Sequence, residues 1–537
     1  MGDPFTIYGY DADARLATVN DGNNDTATYS YLANSALVGE ILFQTNSATR
    51  MTTLKTYDYL NRLTAITSQG GTGVPPVAYN YNYNAANQRT QDRLADGSYW
   101  NYQYDALGQV TAGRKFWADG TVVAGQQFGY AFDTIGNRTQ TQTGGDQNGR
   151  NLRVANYTAN DLNQITSRDV PGYVEVQGVS FATNQVAVNG NTNSYRKGEY
   201  FRQEVGVANG SAAVWTNLTV TATNQAPTTG GVYVAQAPEN FTYDLDGNLI
   251  NDGRWTYTWD AENRLINLTN NTGVGPLYNL AFIYDSKGRR IQKIVTTNGV
   301  ALATNTFLYD GWNLVAELGT NNTLLRNYAW GNDLSGSQQG AGGVGGLLEV
   351  TYHGTSATTN AFVAYDGNGN MGALVNAGDG TLLANYEYGP FGETIRSTGP
   401  LAKNNPIRFS TKYQDDESDL YDYGYRYYEA STGTWQNRDP IGERGGINLY
   451  EFGLNDPTDR IDPNGLDALI GPELPCNQEL EITCANICGD GWTPLVCTMR
   501  RICITVIPGT ILNTPGRVHF YVLWICRCYK LPPPSNN

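Results

Sequence analysis

A six-residue unit, aromatic–Asp–x–x–Gly–x, recurs along the chain and restricts its fold more than any other feature. It reads YDADAR from Tyr10, YDYLNR from Tyr57, YNAANQ from Tyr83, YDALGQ from Tyr104 and FDTIGN from Phe132, with a weaker ANDLNQ from Ala159. It continues as YDLDGN from Tyr243, WDAENR from Trp259, YDSKGR from Tyr284, YDGWNL from Tyr309 and YDGNGN from Tyr365. Asp or Asn at the second position favours the start of a tight turn, and Gly or Asn three residues later favours a positive φ. Gly108, Gly136, Gly247, Gly288 and Gly369 fill that slot, as do Asn61, Asn87, Asn163, Asn263 and Asn313; Ala14 is the exception. Alternation around the units, as in YNYNYN (79–84), has the period of a half-buried strand. Each copy therefore reads as strand, turn, strand. One hairpin is marginal by itself, so the copies are expected to join one continuous antiparallel sheet over residues 1–466, almost without helix. Such a sheet curls because strands twist. The copies stand 16 to 84 residues apart, less even than the blades of a propeller.

Charge excludes one function class. With 35 basic and 50 acidic residues the formal charge is −15, which disfavours nucleic-acid binding by general electrostatics. The 37 Tyr and 61 Gly, against two His and four Met, fit a turn-rich aromatic β protein. No run of 18 apolar residues predicts a membrane helix. The start, MGDPFTIYGYD, has no signal peptide, although it fits the short Met-Gly-x-x-x-Thr pattern of N-myristoylation. It lies almost inside the first repeat, as expected of the C-terminal piece of a longer ancestral protein.

The chain changes character at Leu466. No cysteine precedes it, and Cys476, Cys484, Cys488, Cys497, Cys503, Cys526 and Cys528 follow within 71 residues. That density suits a small disulfide-bonded module with one cysteine left over. Zinc is the alternative, although the spacings in CANIC and CRC are not the usual two residues. The tail carries five acidic and five basic residues, so the −15 belongs to the part before it. RVHFYVLWICRCY (517–529) reads as a buried strand, which makes His519 a core histidine rather than a base for a cysteine. His353 reads as a loop residue at a strand end.

Two Asp-Pro-x-Gly units, from Asp439 and from Asp462, stand just before the change. Proline fixes φ after each Asp, and Gly permits a sharp turn. Two readings follow. The acids cap the last turns of the sheet, or they converge as a pair in which one carboxyl keeps a proton while the other activates water. Asp456 reads as a turn former, and Asp459 with Arg460 as surface residues.

The repeats resemble the YD repeats of the Rhs family, which includes bacterial polymorphic toxins, the C components of insecticidal toxin complexes, and teneurins. YAWGNDLSGSQQGAGGVGGLLEV (328–350), YEYGPFGE (386–393) and above all residues 408–466 resemble the Rhs repeat-associated core. ESDLYDYGYRYYEAS departs from the family pattern in its turns. The resemblance implies an all-β fold: a long curled antiparallel sheet of YD hairpins (1–400) forming a partial shell, a core (401–466), and a small variable Cys-rich module (467–537). It implies aspartyl self-cleavage between Leu466 and Asp467, with Asp439 and Asp462 as the acids and Arg426 in support. The other reading of Arg426 is a strand residue stacked on Tyr425 or Tyr427. No substrate-turnover activity is identified, the activity of residues 467–537 staying open, and no cofactor or metal site is expected. The implied role is toxin delivery in intercellular competition, from a secreted or cell-surface location. Expected partners are a shell-completing or secretion-system protein and an immunity protein for the tail. The alternative is a non-catalytic adhesion protein whose Tyr and Asn ladders bind carbohydrate; a truncated remnant is a third.

Overall fold

The computed structural model describes residues 6–355, 357–466, 469–470, 493–502 and 521–529. Contacts divide the chain into two units, Met1–Leu469 and Ile470–Asn537. Among the described residues no helix is long and apolar enough to cross a membrane.

The first unit is almost entirely antiparallel β-structure, but not one continuous sheet. Fourteen consecutive strands, from Ile7–Tyr10 to Ile165–Arg168, pair in chain order, and Glu239–Asn240 adds the fifteenth. A second sheet of fourteen strands runs in order from Thr242–Tyr243 to Thr394–Thr398. The break has a cause in the chain. The longest gap between repeats, after Ala159, holds two three-stranded sheets whose valines (Val174, Val176, Val186, Val188) and Phe201 make a core of their own. This insertion interrupts the meander, and the two long sheets are then free to face one another. Ile66 and Tyr81 of the first pack with Tyr328, Val363 and Leu374 of the second, and Phe43 meets Phe362 at 5.1 Å between ring centroids.

The tenth to twelfth strands of the second sheet, Leu347–His353, Thr358–Tyr365 and Met371–Asn376, are buried along most of their length. One face meets the first sheet, and apolar residues of the following segment, Ala402 and Ile407, join the same core. Strands covered on both faces need near-continuous apolar runs rather than alternation, and LLEV and AFVAY provide them.

The turns follow the repeat. The slot residue has positive φ at Gly108 (86°), Gly247 (87°), Asn61 (61°) and Asn263 (57°), and Ala14 adopts it too, at 59°. Asn313 does not. In YDGWNL the strand partners Asp310 and Asn313 face each other across a two-residue turn in which Gly311 takes φ 57°. Other turns share the repeat's backbone bonds without its full sequence, those opened by Asp146 and Gly389 among them. Gly149 N donates to Asp146 O and Asp146 N to Arg150 O; Gly392 N donates to Gly389 O and Gly389 N to Glu393 O.

Residues 401–466 are irregular, with a sheet of four short strands around Phe409, Tyr421, Tyr423, Tyr428, Trp435 and Phe452. This segment docks on the repeat turns themselves. Asn448 donates to Asn137 (2.9 Å), Gln164 to the Tyr450 hydroxyl (2.9 Å), Tyr450 to the Gly247 carbonyl (2.8 Å) and Asn455 to the Gly136 carbonyl (2.8 Å). In the second unit, strands Thr493–Ile502 and Tyr521–Tyr529 pair antiparallel, with Cys497 opposite Cys526 in the backbone register. Cys476, Cys484, Cys488, Cys503 and His519 lie outside the described residues.

Candidate functional site

The fold brings Arg426, Asp439 and Asp462 together. Arg426 precedes the strand Tyr427–Glu429; it is 3% exposed, and its guanidinium lies 4.2 Å over the ring of Trp435, rather than on Tyr425 or Tyr427. Nη2 reaches Asp439 Oδ2 at 3.0 Å and Asp462 Oδ2 at 3.3 Å. Nε donates to the Gly465 carbonyl at 2.5 Å and Nη1 to the Leu449 carbonyl at 3.3 Å. One cation thus holds both carboxylates and the backbone of the segment that ends at Leu466.

Each acid is fixed by the turn it opens. Asp439 Oδ1 accepts from Ile441 N at 2.8 Å, and its own N–H donates to Leu449 O at 3.1 Å. Asp462 Oδ1 accepts from Gly465 N (2.7 Å), Leu466 N (3.0 Å) and Asn464 N (3.3 Å). The Asp-Pro-x-Gly spacing has a direct use here. Proline offers no N–H, and Gly465 at φ 77° turns its own N–H and that of Leu466 back onto the carboxylate.

Burial dominates the electrostatics. It raises the Asp462 carboxyl above its ordinary range, against the pull of Arg426, the Leu466 and Gly465 amides, and Lys412. Burial likewise lowers Arg426, against the charges of Asp462 and Asp439. Both shifts show desolvation outweighing attraction, so the group is held together by the surrounding fold.

The Leu466 carbonyl belongs to this group. A Cβ placed on Gly445 would lie 2.8 Å from Leu466 O and closer still to Asp439 Oδ2. An acid and the carbonyl of the predicted cut therefore crowd one point, kept open by a missing side chain.

The remaining acids nearby are structural, and Asp459 is not the surface residue its sequence context suggests. It accepts from Arg89 N (2.9 Å) and from the Tyr104 hydroxyl (3.0 Å). Burial, and for Asp456 also the charge of Asp459, raises both carboxyls. Sequence reasoning missed the setting of Asp459 because its partners come from strands more than 300 residues away, whereas Asp456 keeps the local contacts of a turn former, accepting from Thr458 Oγ1 at 2.9 Å and from the Asp459 and Arg460 amides through its carbonyl. His353 ends a strand and meets Asn327 at 2.6 Å.

Among the described residues, the carboxylates of Asp21, Asp25 and Glu349 lie within 4.8 Å of one another. Burial and the charges of Asp25 and Asp21 push the Glu349 carboxyl well above the usual range, which favours its protonated form. A separate cavity of about 470 Å³ is walled by Tyr79, Tyr81, Trp100 and Tyr102 with Asp92, and includes none of the three residues Arg426, Asp439 and Asp462.

No family model matches the chain. It is 32% identical over 234 residues to the tRNA3(Ser)-specific nuclease WapA of Bacillus spizizenii, covering 42% of this chain and 9% of that protein. It is 25% identical over 427 residues to the toxin protein Tse5 of Pseudomonas aeruginosa, covering 71% of this chain and 28% of that one. The chain thus spans less than a third of the length of either. A crystal structure titled TcdB2-TccC3-Cdc42 is similar over 86% of this chain and 25% of that one, at 16% identity and a TM-score of 0.37.

Proposed function

We propose that residues 1–466 form an Rhs-type scaffold that cuts itself after Leu466 and frees residues 467–537 for delivery, as part of a toxin system acting between cells. The observation that carries this reading is the crowding of Asp439 Oδ2 and the Leu466 carbonyl at Gly445, with Arg426 joining Asp439 to Asp462. Similarity to WapA, named a tRNA nuclease, and to Tse5, named a toxin, supports a scaffold shared among toxins. Shell-completing or secretion-system chains, and an immunity protein for the tail, are the partners this reading requires.

The chemistry is hydrolysis of the Leu466–Asp467 peptide by a carboxyl pair that shares one proton. Asp439, beside the Leu466 oxygen, gives a proton to that oxygen as water attacks the carbonyl carbon. Asp462, whose Oδ1 is occupied by three amides, takes the proton from the attacking water and passes it to the leaving Asp467 nitrogen. Arg426 fixes both carboxyls and limits the cost of their charge. The products are a Leu466 carboxyl terminus and an Asp467 amino terminus.

Denaturing intact-mass measurement of the purified chain at neutral pH tests this. Fragments 1–466 and 467–537 are expected. Asp439→Asn and Asp462→Asn each leave 537 residues intact, and Arg426→Ala slows the cut. Spontaneous scission at an Asp-Pro bond is distinguishable, because it needs acid and leaves Asp at the new terminus. A folded wild-type chain that stays whole at neutral pH overturns the proposal.

A further inference from the structure

Lys412 lies at the end of the short turn Phe409–Thr411 with a side chain that is buried, the residue being 7% exposed. Its ammonium donates to two main-chain carbonyls, Gly342 O at 2.8 Å and Pro463 O at 2.5 Å. The ring of Tyr423 lies 5.4 Å from Nζ. Pro463 is the second residue of the turn whose fifth is Leu466. On the other side of the contact, Gly342 belongs to a glycine-rich loop with φ 61°, and a Cβ there would strike the carbonyl and Cα of Pro463. The loop is itself fixed by one carboxylate. Asp333 Oδ2 accepts from Ala341 N (2.7 Å) and Gly343 N (3.1 Å), and Oδ1 accepts from Ser335 N (2.9 Å).

The segment 462–466 is therefore gripped from two sides. Arg426 holds the Gly465 carbonyl, and Lys412 with the glycine-rich loop holds the Pro463 carbonyl. A buried lysine that spends its donors on neutral carbonyls gains little Coulomb energy for its desolvation. Burial accordingly lowers its pKa to about 8 even with Asp462, Asp422 and Asp333 nearby. Pure stability would be served as well by an apolar side chain there, whereas holding one carbonyl in place requires a donor.

We propose that Lys412 is a positioning residue for the cut after Leu466: it fixes the Pro463 carbonyl against the Gly342 loop so that the Leu466 carbonyl is presented to Asp439. This rests on the self-cleavage reading, and the test separates the two. In wild type and Lys412→Met, made by pulsed cell-free synthesis and quenched in detergent, the appearance of fragment 1–466 is timed. Lys412→Met is expected to slow it by about 10²-fold, the effect of a misplaced reacting group. Lys412→Ala is expected to be slow as well, and to regain rate on addition of ethylammonium but not ethanol. Independently of any cut, amide exchange is compared in Asp439→Asn with and without Lys412→Met. Faster exchange confined to Gly465 and Leu466, with the strands of the two long sheets unchanged, is expected. Equal cutting rates overturn the positioning role, as does exchange that is unchanged or that rises throughout the unit. A wild type that never cuts overturns the self-cleavage reading and with it the catalytic purpose of the grip, while the exchange comparison still decides whether Lys412 orders the segment.

Discussion

Gly445 has φ −80° and ψ −19°, values any residue adopts, so nothing in its backbone calls for glycine. What it supplies is room for Asp439 Oδ2 and Leu466 O. Gly445→Ala is expected to slow the neutral-pH cut by about 10²-fold, the effect of a small displacement at a reacting centre, and to cost about 1–3 kcal/mol of stability, because Asp439 Oδ2 and the Leu466 carbonyl must move aside for the new Cβ; denaturing mass spectrometry and calorimetry read the two effects separately. Glu451 makes a second residue-level prediction. Burial pushes its carboxyl up to about 8 from an ordinary 4.5, with Arg460 opposing. The folded state therefore holds a proton that the unfolded state has lost. The stability this proton contributes is full below about 4.5 and disappears as pH rises through 8. Glu451→Gln should show a smaller fall in unfolding midpoint between pH 5 and pH 8 than the parent.

At the scale of the element, the repeat is a turn closed by its own acid. In YDALGQ, Asp105 Oδ1 accepts from Leu107 N and Gln109 N at 2.9 Å, and Oδ2 accepts from Gln109 Nε2 at 2.8 Å. The sixth residue is thus a working part. It is Arg, Gln or Asn in ten copies and Leu only in YDGWNL, the copy whose turn is built differently. In three of the four copies where it is Arg, it also reaches the next repeat: Arg62 lies 4.7 Å over Tyr83, Arg264 5.5 Å over Tyr284 and Arg289 5.5 Å over Tyr309. The tyrosine hydroxyl then donates back, Tyr284 to Leu265 O and Tyr104 to Arg89 O, both at 2.6 Å. These links stitch neighbouring hairpins along one rim. Loss of the acid removes several bonds to amides, whereas loss of Arg264 removes two partly exposed pairs, to Asp260 and Glu262, and one stack. Asp260→Ala is therefore expected to cost about 1–2 kcal/mol, as for a lost cap, and Arg264→Ala about 0.5–1 kcal/mol. Chemical denaturation midpoints check the order; the reverse order would make the stack, not the turn, the main contribution of the repeat.

For the first unit as a whole, the segment 401–466 is what binds the second sheet to the site. Asp415, fully buried, accepts from Arg290 Nη1 at 2.6 Å and Lys293 Nζ at 3.0 Å, and Arg290 Nε also reaches Asp422 at 3.1 Å. Burial works to raise Asp415, but the two cations outweigh it and hold the carboxyl below its ordinary value. Removing one partner of a buried network strands the others, so Asp415→Ala should destabilise the unit by about 3–5 kcal/mol in calorimetry. A loss below about 1 kcal/mol would mean that this network does not hold the segment.

The sequence by itself determined the local structure: a period of two beside an Asp-x-x-Gly turn admits only antiparallel hairpins, and the Asp-Pro-x-Gly spacing sets a carboxylate under its own downstream amides. These are effects within five residues, where chain connectivity already fixes the partners. It also marked Asp439, Asp462 and Arg426 through resemblance, although nothing in their spacing required them to meet. Tertiary structure alone decided that the meander splits around the 173–234 insertion, that the repeat turns at Asn137, Gln164 and Gly247 become the seat of the core segment, and that Asp459 is half-buried against Arg89 and Tyr104. It alone placed Gly342 and Lys412 against Pro463 and left Gly445 open to the Leu466 carbonyl. Each of these depends on surfaces tens to hundreds of residues apart, and which side chains meet there is set by how whole sheets pack, a choice that no local pattern encodes.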